Sequence, residues 1–158
     1  MRENCIITSP LGFTKIVGDE DGVSSITILD SEEKITDIIP VTLEECAFQL
    51  QEYFEGKRKN FNLKLNPEGT AFQKKVWKQL EQIPYAKTVS YLNLAKQLKD
   101  LKAIRAIASA NSKNPLWIVI PCHRVISSDG SLIGYAGGLH RKKWLLEHEN
   151  PYKQLKLF

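Results

Sequence analysis

The break at Asn66-Pro67-Glu68-Gly69 constrains this chain most, because proline and glycine interrupt helix and strand alike and the charge changes sign there. Residues 1–66 hold 7 Lys and Arg against 12 Asp and Glu, a net of −5, whereas residues 67–158 hold 15 against 6, a net of +9. A chain of 158 residues divided in this way predicts two small domains, 1–66 and 67–158, in an α+β fold. In the first part, Cys5-Ile6-Ile7, Phe13 to Val17 and Val23 to Leu29 are β-branched runs parted by turn residues, which predicts a small antiparallel meander. After Pro40 the spacing of Cys46, Leu50, Tyr53 and Phe54 predicts a helix, with Thr42 as its N-cap and Cys46 in its core face. This first domain supplies no catalytic candidate and is expected to support the second.

The second part is mainly helical. Thr70 caps a helix whose buried stripe is Phe72, Val76, Trp77 and Leu80; Ser90 starts another. A turn at Lys99-Asp100-Leu101-Lys102 then leads to helical residues Ala103 to Asn111, a helix-turn-helix, winged-helix-like pattern. Trp117 to Ile120 reads as a buried strand, and Ser127-Ser128-Asp129-Gly130 as a hairpin turn flanked by Arg124-Val125-Ile126 and Leu132-Ile133. A last helix, Arg141 to Glu149, is expected to turn Trp144, Leu145 and Leu146 inward. No apolar run nears the roughly 18 residues of a membrane span, and the first residues lack a secretory signal's apolar segment. A cytoplasmic protein is expected, nuclear in a eukaryote. Three cysteines without C-x-x-C spacing argue against disulfides and a cysteine-rich zinc site. The basic second part fits a polyanionic partner, nucleic acid foremost, and equally a solvated lysine-rich face.

Reactive chemistry concentrates at Ile120-Pro121-Cys122-His123-Arg124. A thiol attacks as its thiolate, and neighbouring imidazole or cationic groups lower its pKa. Cys122 is therefore the nucleophile candidate, with His123 and Arg124 expected to activate it. Gly134-Tyr135-Ala136-Gly137-Gly138 is glycine-rich but lacks the spacing of a phosphate loop, so it predicts a close-approach backbone loop.

These pieces, in order, resemble the O6-alkylguanine-DNA alkyltransferases. The matching residues are Thr70-x-Phe72-Gln73-x-x-Val76-Trp77, Ile83-Pro84-Tyr85, Thr88-x-Ser90-Tyr91-x-x-Leu94-Ala95, Arg105-Ala106, Asn114-Pro115, Pro121 to Val125, Gly134-Tyr135-x-Gly137-Gly138 and Trp144-Leu145-Leu146-x-His148-Glu149. The resemblance implies a single-turnover, self-inactivating methyltransferase: an alkyl group leaves guanine O6 in duplex DNA for Cys122. It implies that His123, oriented by Glu149, takes the thiol proton through a water, that Tyr91 protonates the departing purine, and that Asn114 braces the thiol's turn. Arg105 is then the finger that replaces a flipped base, with Ser90, Tyr91, Ala106 and Arg124 on the DNA and the minor groove as the face read. Tyr135, Ala136, Val125 and Trp117 are expected to line the substrate pocket.

Trp117 stands where the family has a small residue or proline, which implies poorer handling of bulky adducts than of methyl. Some relatives hold zinc in the first domain, but residues 1–66 contain two cysteines and no histidine, so no metal or other cofactor is expected. The expected partner is double-stranded DNA carrying O6-alkylguanine, met by a monomer without membrane contact. The alternative of a catalytically silent, lesion-binding alkyltransferase-like protein is disfavoured by Cys122. A cysteine hydrolase would need an oxyanion signature, and a transcriptional regulator would have no use for the cysteine block.

Overall fold

A computed structural model describes residues 1–130, 135 and 137–151, and they divide into two compact units. The first is Met1–Glu68 with Pro115–Trp117; the second is Gly69–Asn114 with Ile118 onward. The fold is α+β, a small sheet domain followed by a mainly helical one.

In the first unit, β1 (Glu3–Ser9), β2 (Gly12–Asp19) and β3 (Gly22–Ile28) form the antiparallel meander. Its turns are two residues long, since Ser9 pairs with Gly12 and Asp19 with Gly22. Gly22 has φ +133° and lies so close to the Lys64 carbonyl that a Cβ would stand 2.8 Å from that oxygen, so no other residue fits there unstrained. The outer edge of β3 is covered: Val23 exchanges hydrogen bonds with Lys64 and Asn66, and Ile26 with Pro115 and Trp117. Covering that edge removes a template for unwanted strand pairing. Helix α1 (Val41–Phe54) packs Leu43, Cys46, Ala47, Leu50 and Tyr53 inward. Thr42 does not cap it. The helix begins one residue earlier after Pro40, and the Thr42 hydroxyl donates to Glu3 instead.

In the second unit, α2 (Ala71–Leu80) opens with a full capping box: Thr70 Oγ1 accepts from the Gln73 amide at 3.0 Å and Gln73 Oε1 from the Thr70 amide at 2.9 Å. Its Trp77 indole donates to the Ala110 carbonyl at 2.8 Å, tying α2 to α4 (Ile104–Ser112). Between them lies α3 (Tyr91–Gln97), which Ser90 caps through the Asn93 amide. Lys99 takes a left-handed φ of 58° and a 3-10 turn at Leu101–Ala103 leads into α4, so the helix-turn-helix is present.

Residues 117–120 correct the expected strand. Leu116 makes one isolated bridge to Ile26, and the chain then turns, with Ile118 at φ 75°. An apolar run buried on all sides has no alternation that separates strand from turn. Residues Val125–Ile126 form β5, paired in parallel with β4 (Val89–Ser90); Leu132 and Ile133, the other expected hairpin arm, lie outside the described residues. Helix α5 (Leu139–Glu149) buries Arg141, Lys142, Leu145 and Glu149, whereas Trp144 is part-exposed and stacks on His148 at 4.8 Å. Its inward face is charged, not aromatic. No helix among the described residues is long and apolar enough to cross a membrane.

Candidate active site

The thiol-bearing turn is fixed by local chemistry. Pro121, with φ −81° and ψ 64°, is the centre of an inverse γ-turn closed by the Cys122 amide on the Ile120 carbonyl at 2.8 Å. The ring of proline presets that φ. The same carbonyl accepts Asn114 Nδ2 at 2.7 Å, so the end of α4 clamps the turn. Cys122, His123 and Arg124 then form one 3-10 turn, closed by the Arg124 amide on Pro121 O at 3.0 Å.

All three of these side chains are buried, at 2%, 0% and 6% exposure. His123 Nε2 lies 2.8 Å from Glu149 Oε2. Arg124 reaches the same carboxylate twice, Nε to Oε1 at 2.8 Å and a terminal nitrogen to Oε2 at 3.0 Å, and its other terminal nitrogen donates to Ile83 O at 2.7 Å. The Ala86 amide adds a fourth contact on Oε1 at 3.3 Å. These donors outweigh burial and hold the Glu149 carboxyl well below the usual carboxylate range. With Nε2–H donated to Glu149, Nδ1 of His123 is the ring's acceptor; it is buried and finds no hydrogen-bond partner among the described residues.

The thiol itself is not pre-ionised. Burial pushes Cys122 up to about 11, opposed by a hydrogen bond from Asn114 and the Lys142 ammonium. The expectation that adjacent His123 and Arg124 would lower it is corrected. Burial holds the imidazole neutral against the pull of Glu149, and the guanidinium is spent on Glu149. Lys142, wholly buried on α5, donates to Val125 O at 2.6 Å and is pulled by burial down to about 8.

Asn111 Nδ2 donates to the Tyr91 hydroxyl at 3.4 Å, which leaves the phenolic proton free to be given elsewhere. Burial raises the Tyr91 pKa, so the proton is retained until used. Arg105, Ala106 and Ser109 form the exposed face of α4, opposite buried Ile107, Ala110 and Asn111, and Ser90 is half-buried at the start of α3. Arg124, expected on DNA, is instead an internal ligand of Glu149. Tyr135 and Val125 are buried, Trp117 belongs to the first unit with its amide on Ile26 O, and Ala136 lies outside the described residues. Among the described residues, no group of His, Cys, Asp and Glu is arranged to hold a metal. Sequence reasoning missed Asn111, Lys142 and the Ala86 amide. A signal existed for the first two: Asn111 falls on the buried stripe of α4, and Lys142, Leu145 and Glu149 share one face of α5 at helical spacing.

Comparison with known proteins identifies the family. Residues 5–67 match the ribonuclease-like domain, and residues 71–151 the DNA binding domain, of 6-O-methylguanine DNA methyltransferase. The methylated-DNA–protein-cysteine methyltransferase of Methanosarcina barkeri is 46% identical over 91% of this chain and 94% of its own length. The constitutive enzyme of the same name from Bacillus subtilis is 42% identical over 92% and 94%. The crystal structure of Mycobacterium tuberculosis O6-methylguanine methyltransferase superposes with a TM-score of 0.85 at 37% identity, covering 100% of this chain and 99% of that one. By both domain matches and by these relatives, the chain belongs to the 6-O-methylguanine DNA methyltransferase family.

Proposed function

We propose that this protein repairs DNA by moving the alkyl group of an O6-alkylguanine onto Cys122, once per molecule. The observation that carries the reading is the line from Cys122 through His123 to Glu149, a buried thiol beside an imidazole fixed on a buried carboxylate. It lies in the same unit as a helix-turn-helix with Arg105 exposed. A close relative, the M. tuberculosis protein, is known in complex with DNA; this chain superposes on that complex with a TM-score of 0.83 at 37% identity, covering 97% and 98% of the two chains.

In the transfer, Cys122 Sγ attacks the alkyl carbon in line with the departing oxygen; the S–C bond forms as the C–O6 bond breaks and the electron pair passes to the purine. The thiol proton moves through a water to His123 Nδ1, and ionised Glu149 stabilises the imidazolium that results. Tyr91 donates a proton to N3, so the purine leaves uncharged, and the phenol is reprotonated from solvent. A thioether is stable. The protein is then consumed by its reaction. A thiol kept protonated by burial is protected from other electrophiles until a substrate excludes solvent and His123 withdraws the proton.

Guanine O6 cannot be reached in a stacked duplex, so the base must turn out into the pocket, at a cost of a few kcal/mol. Arg105 fills the gap it leaves, with Ser90 and Ala106 against the backbone of a minor groove that carries little sequence information. Tyr135 and Val125, both buried in the unit that holds Cys122, line the pocket, and the monomer acts alone.

Intact-mass measurement after incubation with duplex DNA containing O6-methylguanine tests this reading. The mass should rise by one methyl substitution, mapped to Cys122, and stay unchanged in Cys122→Ala. Unchanged mass with tight binding to the modified duplex would instead establish the lesion-binding reading.

A further inference from the structure

We propose that Arg124 is a positioning residue that divides the Glu149 carboxylate with His123 and so keeps the imidazole in the neutral form able to accept the Cys122 proton. The proposal rests on the transfer reading and adds to it the device that readies the base.

A buried carboxylate facing an imidazole alone favours the imidazolium, because the pair is best as two opposite charges. Such a histidine titrates higher and is less available to take a proton. In this site the carboxylate is shared. Arg124 engages both oxygens of Glu149 at 2.8 and 3.0 Å while His123 holds one at 2.8 Å. A guanidinium does not give up its proton, so it neutralises Glu149 at every pH of interest.

The other charged and titratable groups around the imidazole act in the same direction or are neutral. Lys142 from α5 is a second buried cation, Cys122 on the same turn is protonated, and Tyr85 lies with its ring 5.7 Å from the Arg124 guanidinium. Tyr135, near Cys122 and Glu149, is held protonated by burial, and Arg141 beside it is a further cation. One carboxylate therefore faces several positive charges, and burial decides against a further one on His123.

The guanidinium's geometry selects arginine for the task. Its fork spans both carboxylate oxygens while its remaining nitrogen is fixed on Ile83 O at 2.7 Å. A lysine ammonium would neutralise as a point charge without orienting the carboxylate.

Single-turnover methyl transfer from O6-methylguanine duplex, followed from pH 5 to 9, is the test. In the wild type the acid limb should lie below the usual imidazole value of about 6.5, since burial lowers the His123 pKa. In Arg124→Gln the acid limb should move up by at least about one pH unit, a tenfold or greater loss at pH 6 that recovers above pH 8. Arg124→Lys should show a smaller displacement. Duplex affinity and its salt dependence should be unchanged in both variants. A uniform loss at all pH values with the limb unmoved would overturn the proposal, as would weakened duplex binding with a shallower salt slope, which would return Arg124 to the DNA. Imidazole NMR of the wild type gives a decision even if Arg124→Gln does not fold or transfer itself is absent. A neutral His123 at pH 7 supports the charge division, and an imidazolium there overturns it.

Discussion

The inner faces of α1 and α5, one helix from each unit, are built in opposite ways. Helix α1 turns Leu43, Cys46, Ala47, Leu50 and Tyr53 inward, a largely apolar set, and its buried Gln49 amide is paired with the Asn62 backbone. Helix α5 turns Arg141, Lys142, Leu145 and Glu149 inward. Each charge there must be matched, since an unpaired buried ion costs several kcal/mol and well-packed apolar side chains in its place are often neutral or stabilising. Neither helix has a side-chain N-cap. Packing holds both, so the contrast lies in what is packed. A face that gains little stability from its charges and yet keeps them is organised by chemistry, and the groups it faces are Cys122, His123 and Arg124.

The largest expected effect separates the two faces directly. Glu149→Ala leaves the Arg124 guanidinium buried without its carboxylate and should cost about 3–5 kcal/mol in denaturant unfolding. Leu50→Ala on α1 opens a cavity in the first unit's core and should cost about 2–5 kcal/mol. The two overlap in stability and part in function. Methyl transfer by Leu50→Ala, measured under folding conditions, should match the wild type, whereas Glu149→Ala should lose most of its rate. Equal slowing of both would erase the distinction between a structural and a chemical face.

Acid should sharpen the same contrast. His123 and Glu149 both have folded-state pKa values below their usual ones. Each therefore contributes stability that is present above its unfolded pKa and is lost as pH falls toward its folded one. Stability should begin to fall below about pH 6.5 as the unfolded state binds the proton His123 refuses, and fall more steeply below about pH 4.3 through Glu149. The limiting slope is about 1.4 kcal/mol per pH unit for each proton. Urea unfolding of Glu149→Gln should lose the steeper arm, while Leu50→Ala should run parallel to the wild type, displaced downward. A wild-type curve flat from pH 7 to 4 would contradict the assigned directions.

The α1 side of this contrast was legible in the sequence and the α5 side only in part. Cys46, Leu50 and Tyr53 announce a buried face by period, and turn chemistry at Pro10, Gly12 and Gly22 dictates the meander. Thr70 and Ser90 announce helix starts because their hydroxyls can serve only orphan amides nearby. Long-range electrostatics have no such local signature. Arg124 beside a nucleophile reads as a cation for DNA until Glu149, 25 residues away, is seen to take it. The turn at 117–120 was hidden likewise, because its determinants are Asn114 on Ile120 O and a left-handed Ile118, neither of which alters hydrophobic pattern.

The smallest expected effect isolates the two thiols. Cys46 and Cys122 are buried to 1% and 2% exposure, and burial pushes them to about 12 and about 11, so as packed side chains they are near equals. Removing either sulfur deletes roughly one methylene's worth of buried surface, about 1 kcal/mol. Cys46→Ala and Cys122→Ala should then unfold within a few tenths of a kcal/mol of each other. Transfer should be intact in the first and absent in the second. The distinction between them arises from what surrounds each sulfur. Cys46 is raised by burial and by Cys5, a second buried thiol, whereas Cys122 is opposed by an amide hydrogen bond and a lysine that favour its ionised form. A Cys122→Ala variant destabilised by more than about 3 kcal/mol would exceed simple sulfur removal. The thiol would then be a structural member of the Asn114 clamp as well as the acceptor, and the chemical face of α5 would be holding the fold as much as α1 does.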